Sequence, residues 1–167
     1  NLPGVKKICI ISDNKLTKLL SKKLIKSLKG YDLKVYQLSV NEKTKNLNIA
    51  NKIIEQLLKD NFNRSDCIIS FGGGIVSDLS AFISSIIKRG IKFINIPTTL
   101  LAQSDASIGG KTGINSNQGK NLIGTFYQPD FVLTDISMLD SLPRKEMVCG
   151  YGEILKHSLI INRKFFL

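Results

Sequence analysis

The sequence predicts an α/β fold: a Rossmann-like parallel sheet with helices on both faces. Three observations predict it. Short apolar runs alternate along the chain with stretches of helical spacing, so that strands are joined by crossover helices. One strand-to-helix junction reads "SFGGGIVSD", three glycines in a row where a regular element would lose roughly 0.5–1 kcal/mol at each. The chain has 167 residues, 43% of them hydrophobic, which suits one domain with a real core.

In order, "VKKICIIS" is a short apolar run and the first strand. Residues 15–29 are helical, with Leu16, Leu19, Leu20, Leu24 and Leu28 as the apolar stripe and lysines on the solvated face. "LKVYQLSV" is strand-like, and "LNIANKIIEQLLK" returns to helical spacing at Leu47, Ala50, Ile54, Leu57 and Leu58. Next come the strand "DCIISF", the glycines, a helix "DLSAFISSIIKR" and the strand "IKFINIP". After Pro97 the chain carries too many glycines and polar residues for a plain crossover, and loops that long are usually functional. Within it "NSNQG" reads as a turn joining the extended pieces "GKTGIN" and "KNLIGTF", a hairpin-like excursion. The strand "FVLTD" and a helix from about Pro143 to Ile161 complete the pattern.

Composition excludes several classes. Apolar runs such as "FINIP" and "CIISF" fall far below the roughly 20 residues that span a bilayer, and no signal pattern opens the chain, so no membrane partner and a cytoplasmic setting are expected. Cys9, Cys67 and Cys149 are odd in number and lack CxxC spacing; reduced core thiols are expected. The net charge of +11 raises nucleic acid as a partner. Against it, only four basic residues are Arg, there is no Trp, and no aromatics interleave with the lysines as a stacking platform needs. No nucleic-acid partner is expected.

Several motifs carry chemistry. "GGGIVS" matches GxGxx with Ser77 at the third glycine position, a partial dinucleotide fingerprint. It follows the third strand, and Asp78 comes four residues after Gly74, unlike the common arrangement. "SIGGKT" resembles the end of a P-loop, but the position that needs glycine is Asp105. Lys111, Lys120 and Asn121 flank one hairpin and could aim two ammonium groups and an amide at a phosphate or carboxylate. Glu153, Lys156 and His157 share a helix face, yet the sole histidine cannot complete a three-ligand zinc site of the usual kind.

Taken together, "FGGGIVSDLSAF", "KRGIKFINIPTTLLAQSDASIGGKTGIN", "GKNLIGTFYQP", "LDSLPRKE" and "GYGEILKHSLI" closely resemble the 3-dehydroquinate synthase family over roughly residues 5–162. The resemblance implies conversion of 3-deoxy-arabino-heptulosonate 7-phosphate to 3-dehydroquinate and phosphate, the second step of the shikimate route. It implies catalytic NAD and a divalent metal, zinc or cobalt. It places Asp13, Glu42 and Lys45 at the adenosine side of NAD, Gly72, Gly73 and Gly74 at the pyrophosphate, and Asp78 at a ribose. Thr98 and Thr99 fall near the nicotinamide, and Ser141 and Leu142 in the cofactor pocket. Asp105, Lys111, Lys120 and Asn121 match substrate or active-site positions, Lys111 at the anionic groups, with Lys111 and Lys120 also near the cofactor. Glu153 matches a metal ligand, Lys156 a substrate contact, and Arg89 an arginine that reaches a partner subunit's phosphate site, so a homodimer is expected.

On this reading residues 1–140 form an NAD-binding α/β domain with an active-site hairpin loop at 97–129. Residues 141–167 begin a helical metal- and substrate-binding domain that is largely missing. The family's metal-binding histidines lie in that domain, so the chain is expected to be an inactive N-terminal fragment, and the apolar end of "NRKFFL" to face the absent part. Gly152 stands where the family has Ala, and Ser77 where it has Gly. Other sugar-phosphate cyclases, and metal-dependent alcohol dehydrogenases such as glycerol dehydrogenase, are the alternatives; an uncharged polyol would not need the lysines of "GGKTGIN" and "GKNLIGTFYQP".

Overall fold

The structure, a computed structural model, describes residues 2–161, so the end of "NRKFFL" lies outside the described residues. The strands are β1 (Lys7–Asp13), β2 (Asp32–Leu38), β3 (Cys67–Gly72), β4 (Lys92–Pro97), β5 (Ile114–Ser116), β6 (Gly119–Ile123) and β7 (Phe131–Val132). Five of them form one parallel sheet in the order β2-β1-β3-β4-β7, and β5 pairs with β6 as a separate antiparallel hairpin. The central strand β3 is buried along its whole length, as an interior strand of a doubly covered sheet must be. The edge strand β2 has no fully buried residue.

Helices cover both faces. On one face α2 (Leu47–Lys59) and α3 (Gly74–Ile86) bury Ile53, Leu57, Leu79 and Ile83 against Cys9, Ile68 and Phe93. On the other, a helical stretch at 14–28, α1, and a 3-10 turn at Ile136–Ser141 bury Leu20, Leu24 and Met138 against Ile8, Ile69 and Ile96. The asparagine Asn46 starts α2 by accepting from the Ile49 amide (3.0 Å), which satisfies one of the helix's free donors. The buried stripe of α2 is Ala50, Ile53 and Leu57, while Leu47 and Leu58 stay exposed, a rotation from the expected stripe.

Four local expectations change. The stretch α1 is not a regular helix but passes through 3-10 and π turns. The helix α3 begins at Gly74, inside the glycine run, instead of at Asp78. Only Phe131 and Val132 of "FVLTD" pair with β4. Cys9 and Cys67 are buried, but Cys149 is exposed on α4 (Arg144–Ile161), where its side of the helix has no sheet to face.

The excursion between β4 and β7 is closed at a neck. There Lys111 bridges Phe126, the Thr112 amide donates to the Thr125 carbonyl (3.0 Å) and the Tyr127 amide to the Gly110 carbonyl (2.7 Å). The Tyr127 hydroxyl ties this neck to the sheet by donating to the Ile91 carbonyl (2.7 Å). Beyond it, β5 and β6 pair from Ile114↔Ile123 to Ser116↔Gly119, the hairpin that "NSNQG" predicts. Among the described residues no helix is long and apolar enough to cross a membrane.

Candidate active site

The strand order reverses between β1 and β3, because the chain leaves β1 toward β2 and then returns across the sheet. In open parallel sheets such a reversal leaves a crevice at the strands' C-terminal ends. Asp13 ends β1, Gly72 ends β3 and Pro97 ends β4, so all three stand at that edge. Asp13 caps the following turn by accepting from the Lys15 amide (3.0 Å).

Gly73 is the N-cap of α3 and carries no side-chain cap. The first intrahelical bond runs from the Ser77 amide to the Gly73 carbonyl (3.0 Å), so the amides of the preceding turn lack helical acceptors. Those donors and the positive end of the helix dipole make an anion site. The glycines serve close approach, not unusual dihedrals. A Cβ on Gly72 would lie 2.7 Å from Val76, and one on Gly73 would lie 3.0 Å from Thr99, whereas Gly74 has ordinary room, 3.7 Å from Ala106. The Thr98 amide donates to the Gly72 carbonyl (2.9 Å), and Thr99 Oγ1 accepts from the Ala102 amide (3.2 Å), which seats the "PTT" segment on the glycine turn. Ser77, in the fingerprint's third position, is buried and donates to Asn95 Oδ1 (3.0 Å).

Next to this turn lies a polar knot. Lys45 is 5% exposed, and its ammonium contacts the Asp78 carboxylate and donates to Asn121 Oδ1 (2.6 Å). Burial pushes the Asp78 carboxyl up, against the pull of Lys45. Asn115 joins in, donating from Nδ2 to the Glu42 carbonyl (3.1 Å) and to Glu42 Oε1 (2.9 Å). Nothing in the sequence singles out Asn115.

An open cleft of about 670 Å³ runs from Asp78 past Asp105, Lys111 and Asn121, with Ile108 and Phe126 as apolar walls. Lys111 and Asn121 therefore share one space, as expected. Lys120 does not join them: its side chain is 71% exposed and its ammonium lies 3.8 Å from Glu42, because neighbouring side chains on β6 point to different sides and Asn121 takes the one facing the cleft.

At the other side of Asp105, α4 brings Glu153 and His157. One oxygen or nitrogen from each of Asp105, Glu153 and His157 lies within 4.8 Å of the others, with His157 Nε2 3.7 Å from Asp105 Oδ1 and 3.9 Å from Glu153 Oε1. The contact depends on Gly150: a Cβ there would lie 2.6 Å from the Leu101 amide nitrogen, so α4 packs against the π turn Ala102–Ala106 that carries Asp105. Two nitrogen or oxygen donors one helical turn apart plus a third from another element suit a divalent cation. Thus the Glu153–His157 pair has a third donor beside it in Asp105, 48 residues before Glu153, which no local pattern reveals. The Lys156 ammonium contacts Glu153. A Cβ on Gly152 would meet nothing within 4 Å, so alanine would fit there.

Three expected residues lie away from the cleft. Ser141 closes the turn Ile136–Ser141, and Leu142 is its C-cap. Arg89 sits past the far end of α3, which at 13 residues is roughly 20 Å long. Lys88, Arg89 and Gly90 all have positive φ (50°, 62° and 113°), a strained bend that turns the chain away from the helix.

The family model described as the 3-dehydroquinate synthase N-terminal region matches residues 35–149. A curated 3-dehydroquinate synthase from Pelagibacter ubique is 55% identical over 94% of this chain and 43% of its own length, and one from Alkaliphilus metalliredigens 42% identical over 99% and 47%. The chain spans less than half the length of these relatives. Among solved structures, a 2-deoxy-scyllo-inosose synthase complexed with carbaglucose-6-phosphate, NAD+ and Co2+ superposes with a TM-score of 0.90 at 27% identity, over 96% of this chain and 46% of that one. A probable glycerol dehydrogenase from Sinorhizobium meliloti shares the fold at 19% identity and a TM-score of 0.72, over 92% of this chain and 39% of its own.

Proposed function

The chain belongs to the 3-dehydroquinate synthase family, and from that premise we propose that it forms the cofactor-binding half of an enzyme converting 3-deoxy-arabino-heptulosonate 7-phosphate into 3-dehydroquinate and phosphate. The observation that carries the reading is a pairing across one edge of the sheet. Asp78, in the first turns of the uncapped α3, and Asp105, beside Glu153 and His157, line one cleft together with Lys111 and Asn121.

NAD supplies a reversible hydride acceptor and a divalent metal such as zinc or cobalt a Lewis acid. Gly72, Gly73 and Gly74 fit the pyrophosphate, since α3 opens there with bare amides and no side-chain cap. On this reading Asp13 and Glu42 meet the adenosine side, Asp78 a ribose, and Thr98, Thr99, Ser141 and Leu142 border the nicotinamide pocket. Glu153 is the residue here that would hold the metal, with Asp105 and His157 beside it, and the histidines expected of the absent domain would complete the set. Lys111 and Asn121 bind the substrate's anionic and hydroxyl groups, Lys120 screens charge from the rim, and Lys156 moves from Glu153 to the substrate. Arg89, a helix length from its own cleft, serves the phosphate site of a second subunit in a homodimer. A cytoplasmic setting belongs to the same reading.

The test is phosphate release by the chain continued to the length of its relatives, supplied with NAD and zinc or cobalt. Release from 3-deoxy-arabino-heptulosonate 7-phosphate is expected, lowered roughly 10- to 100-fold by Lys111→Ala through loss of a charge-assisted contact, while the 167 residues alone release none. The likeness to 2-deoxy-scyllo-inosose synthase supports a second reading, another sugar-phosphate cyclase. Release from sedoheptulose 7-phosphate alone would favour that second reading, and silence with both substrates despite bound NAD would sink both.

A further inference from the structure

Lysine is among the residues least often found buried, and a buried ammonium persists only where it is paired and hydrogen-bonded. Lys45 is 5% exposed, the charged side chain most fully withdrawn from solvent around the cleft. Its partners come from two different elements: the Asp78 carboxylate near the start of α3 and Asn121 Oδ1 on β6 (2.6 Å). Its backbone grips the other strand of the hairpin, for the Lys45 carbonyl accepts from the Asn115 amide (2.8 Å), and Asn46 bridges Asn115. Asn115 then closes the ring by accepting, through Oδ1, from the Asn121 amide (3.0 Å).

Asn121 itself is strained. Its φ is 57°, a left-handed value that asparagine tolerates better than most residues but that a strand does not otherwise favour. Such a conformation lasts only where its surroundings over-determine it. Here they do so from both sides, by Asn115 at the backbone and Lys45 at the side chain.

We infer that Lys45 is a positioning residue, a clamp whose ammonium locks the β5–β6 hairpin to α3 and so fixes the separation of the cleft's two walls. The resemblance places Lys45 near the cofactor, and the clamp adds a role through Asp78 and Asn121. The inference deepens the proposed function, and rests on it only for the effect on ligands. The clamp itself is a property of the folded chain. Its loss strips Asp78 of its counter-ion and leaves the Asn121 carbonyl without a donor, so the hairpin loosens while the sheet stays intact.

Hydrogen exchange followed by mass spectrometry on the 167-residue chain without any ligand reads this directly. Lys45→Met keeps most of the apolar stem and removes the charge. It is expected to speed exchange in the 113–124 segment about tenfold or more, with β3 and α3 within about twofold of the parent, as local opening at unchanged global stability requires. Lys45→Arg, which keeps a cation on a comparable stem, is expected to restore most of the protection. Asn121→Leu, which removes one acceptor and leaves the pair with Asp78, is the second variant and should loosen the same segment. Unchanged hairpin exchange in Lys45→Met or Asn121→Leu, uniform acceleration across the core, or an arginine variant as loose as the methionine one would overturn the clamp. NAD titration runs in parallel: a parent chain that fails to bind NAD counts against the proposed function and leaves the clamp to be judged on exchange alone.

Discussion

Asp135 shows how a single side chain can hold a surface in place. Its carboxylate accepts from the Ser137 hydroxyl (2.6 Å), from the Lys23 ammonium (2.9 Å) and from the Ser137 amide (2.9 Å), and in that order these donors hold its pKa down to about 2. Because the folded value lies below the ordinary one of roughly 3.9, the group's contribution to stability is full above about pH 4 and is lost as pH falls toward 2. Asp135→Asn should therefore flatten the fall of melting temperature between about pH 4 and pH 2. A slope equal to the parent's would show that Asp135 plays no such part. The two buried thiols behave oppositely: burial pushes Cys67 up to about 12 and Cys9 higher still, so both stay protonated and inert at neutral pH.

Element by element, what decides the site is how α4 meets the turn that bears Asp105. Gly150 allows that approach, since a Cβ there would fall 2.6 Å from backbone at Leu101 as well as from the Leu100 side chain. Backbone cannot yield as a flexible side chain can, so Gly150→Ala should destabilise by about 1–3 kcal/mol, the usual cost of overpacking. Denaturant melts would register this as a lower midpoint; an unchanged midpoint would mean that α4 shifts freely. The strands, α2, α3 and the hairpin are all legible in the sequence, because burial on both faces, helical spacing and turn chemistry leave local marks. The turns within α1 leave none, since its leucines keep helical spacing while the backbone does not. Of the site, the glycine turn and the Glu153–His157 pair can be read locally. Asp105 as their companion cannot, because that contact arises only when two elements dock through a glycine. Lys120 is the converse case: a hairpin seen as a string does not tell which of the neighbours Lys120 and Asn121 faces the cleft.

At the scale of the whole molecule, the net charge of +11 is a field and not a site. Lys15, Lys18, Lys22 and Lys26 of α1 are exposed, and no aromatic residue interleaves with them in the sequence as a stacking platform needs. Binding to single-stranded oligonucleotide should be weak, indifferent to sequence and largely lost between about 50 and 200 mM salt, as counterion release dictates. Sequence-selective binding at physiological salt, measured by fluorescence anisotropy, would contradict this. The same scale shows what the neck between Gly110 and Tyr127 makes of the excursion. Its two ends leave the body side by side, joined by the paired amides of Thr112 and Tyr127. Beyond the neck the hairpin is anchored a second time, by Ile114 in the core and by Asn115 and Asn121 on Lys45. Cutting it back to a tight turn would therefore open the core at Ile114 and leave the Lys45 ammonium with Asp78 alone, so the excursion is part of the body and not an appendage.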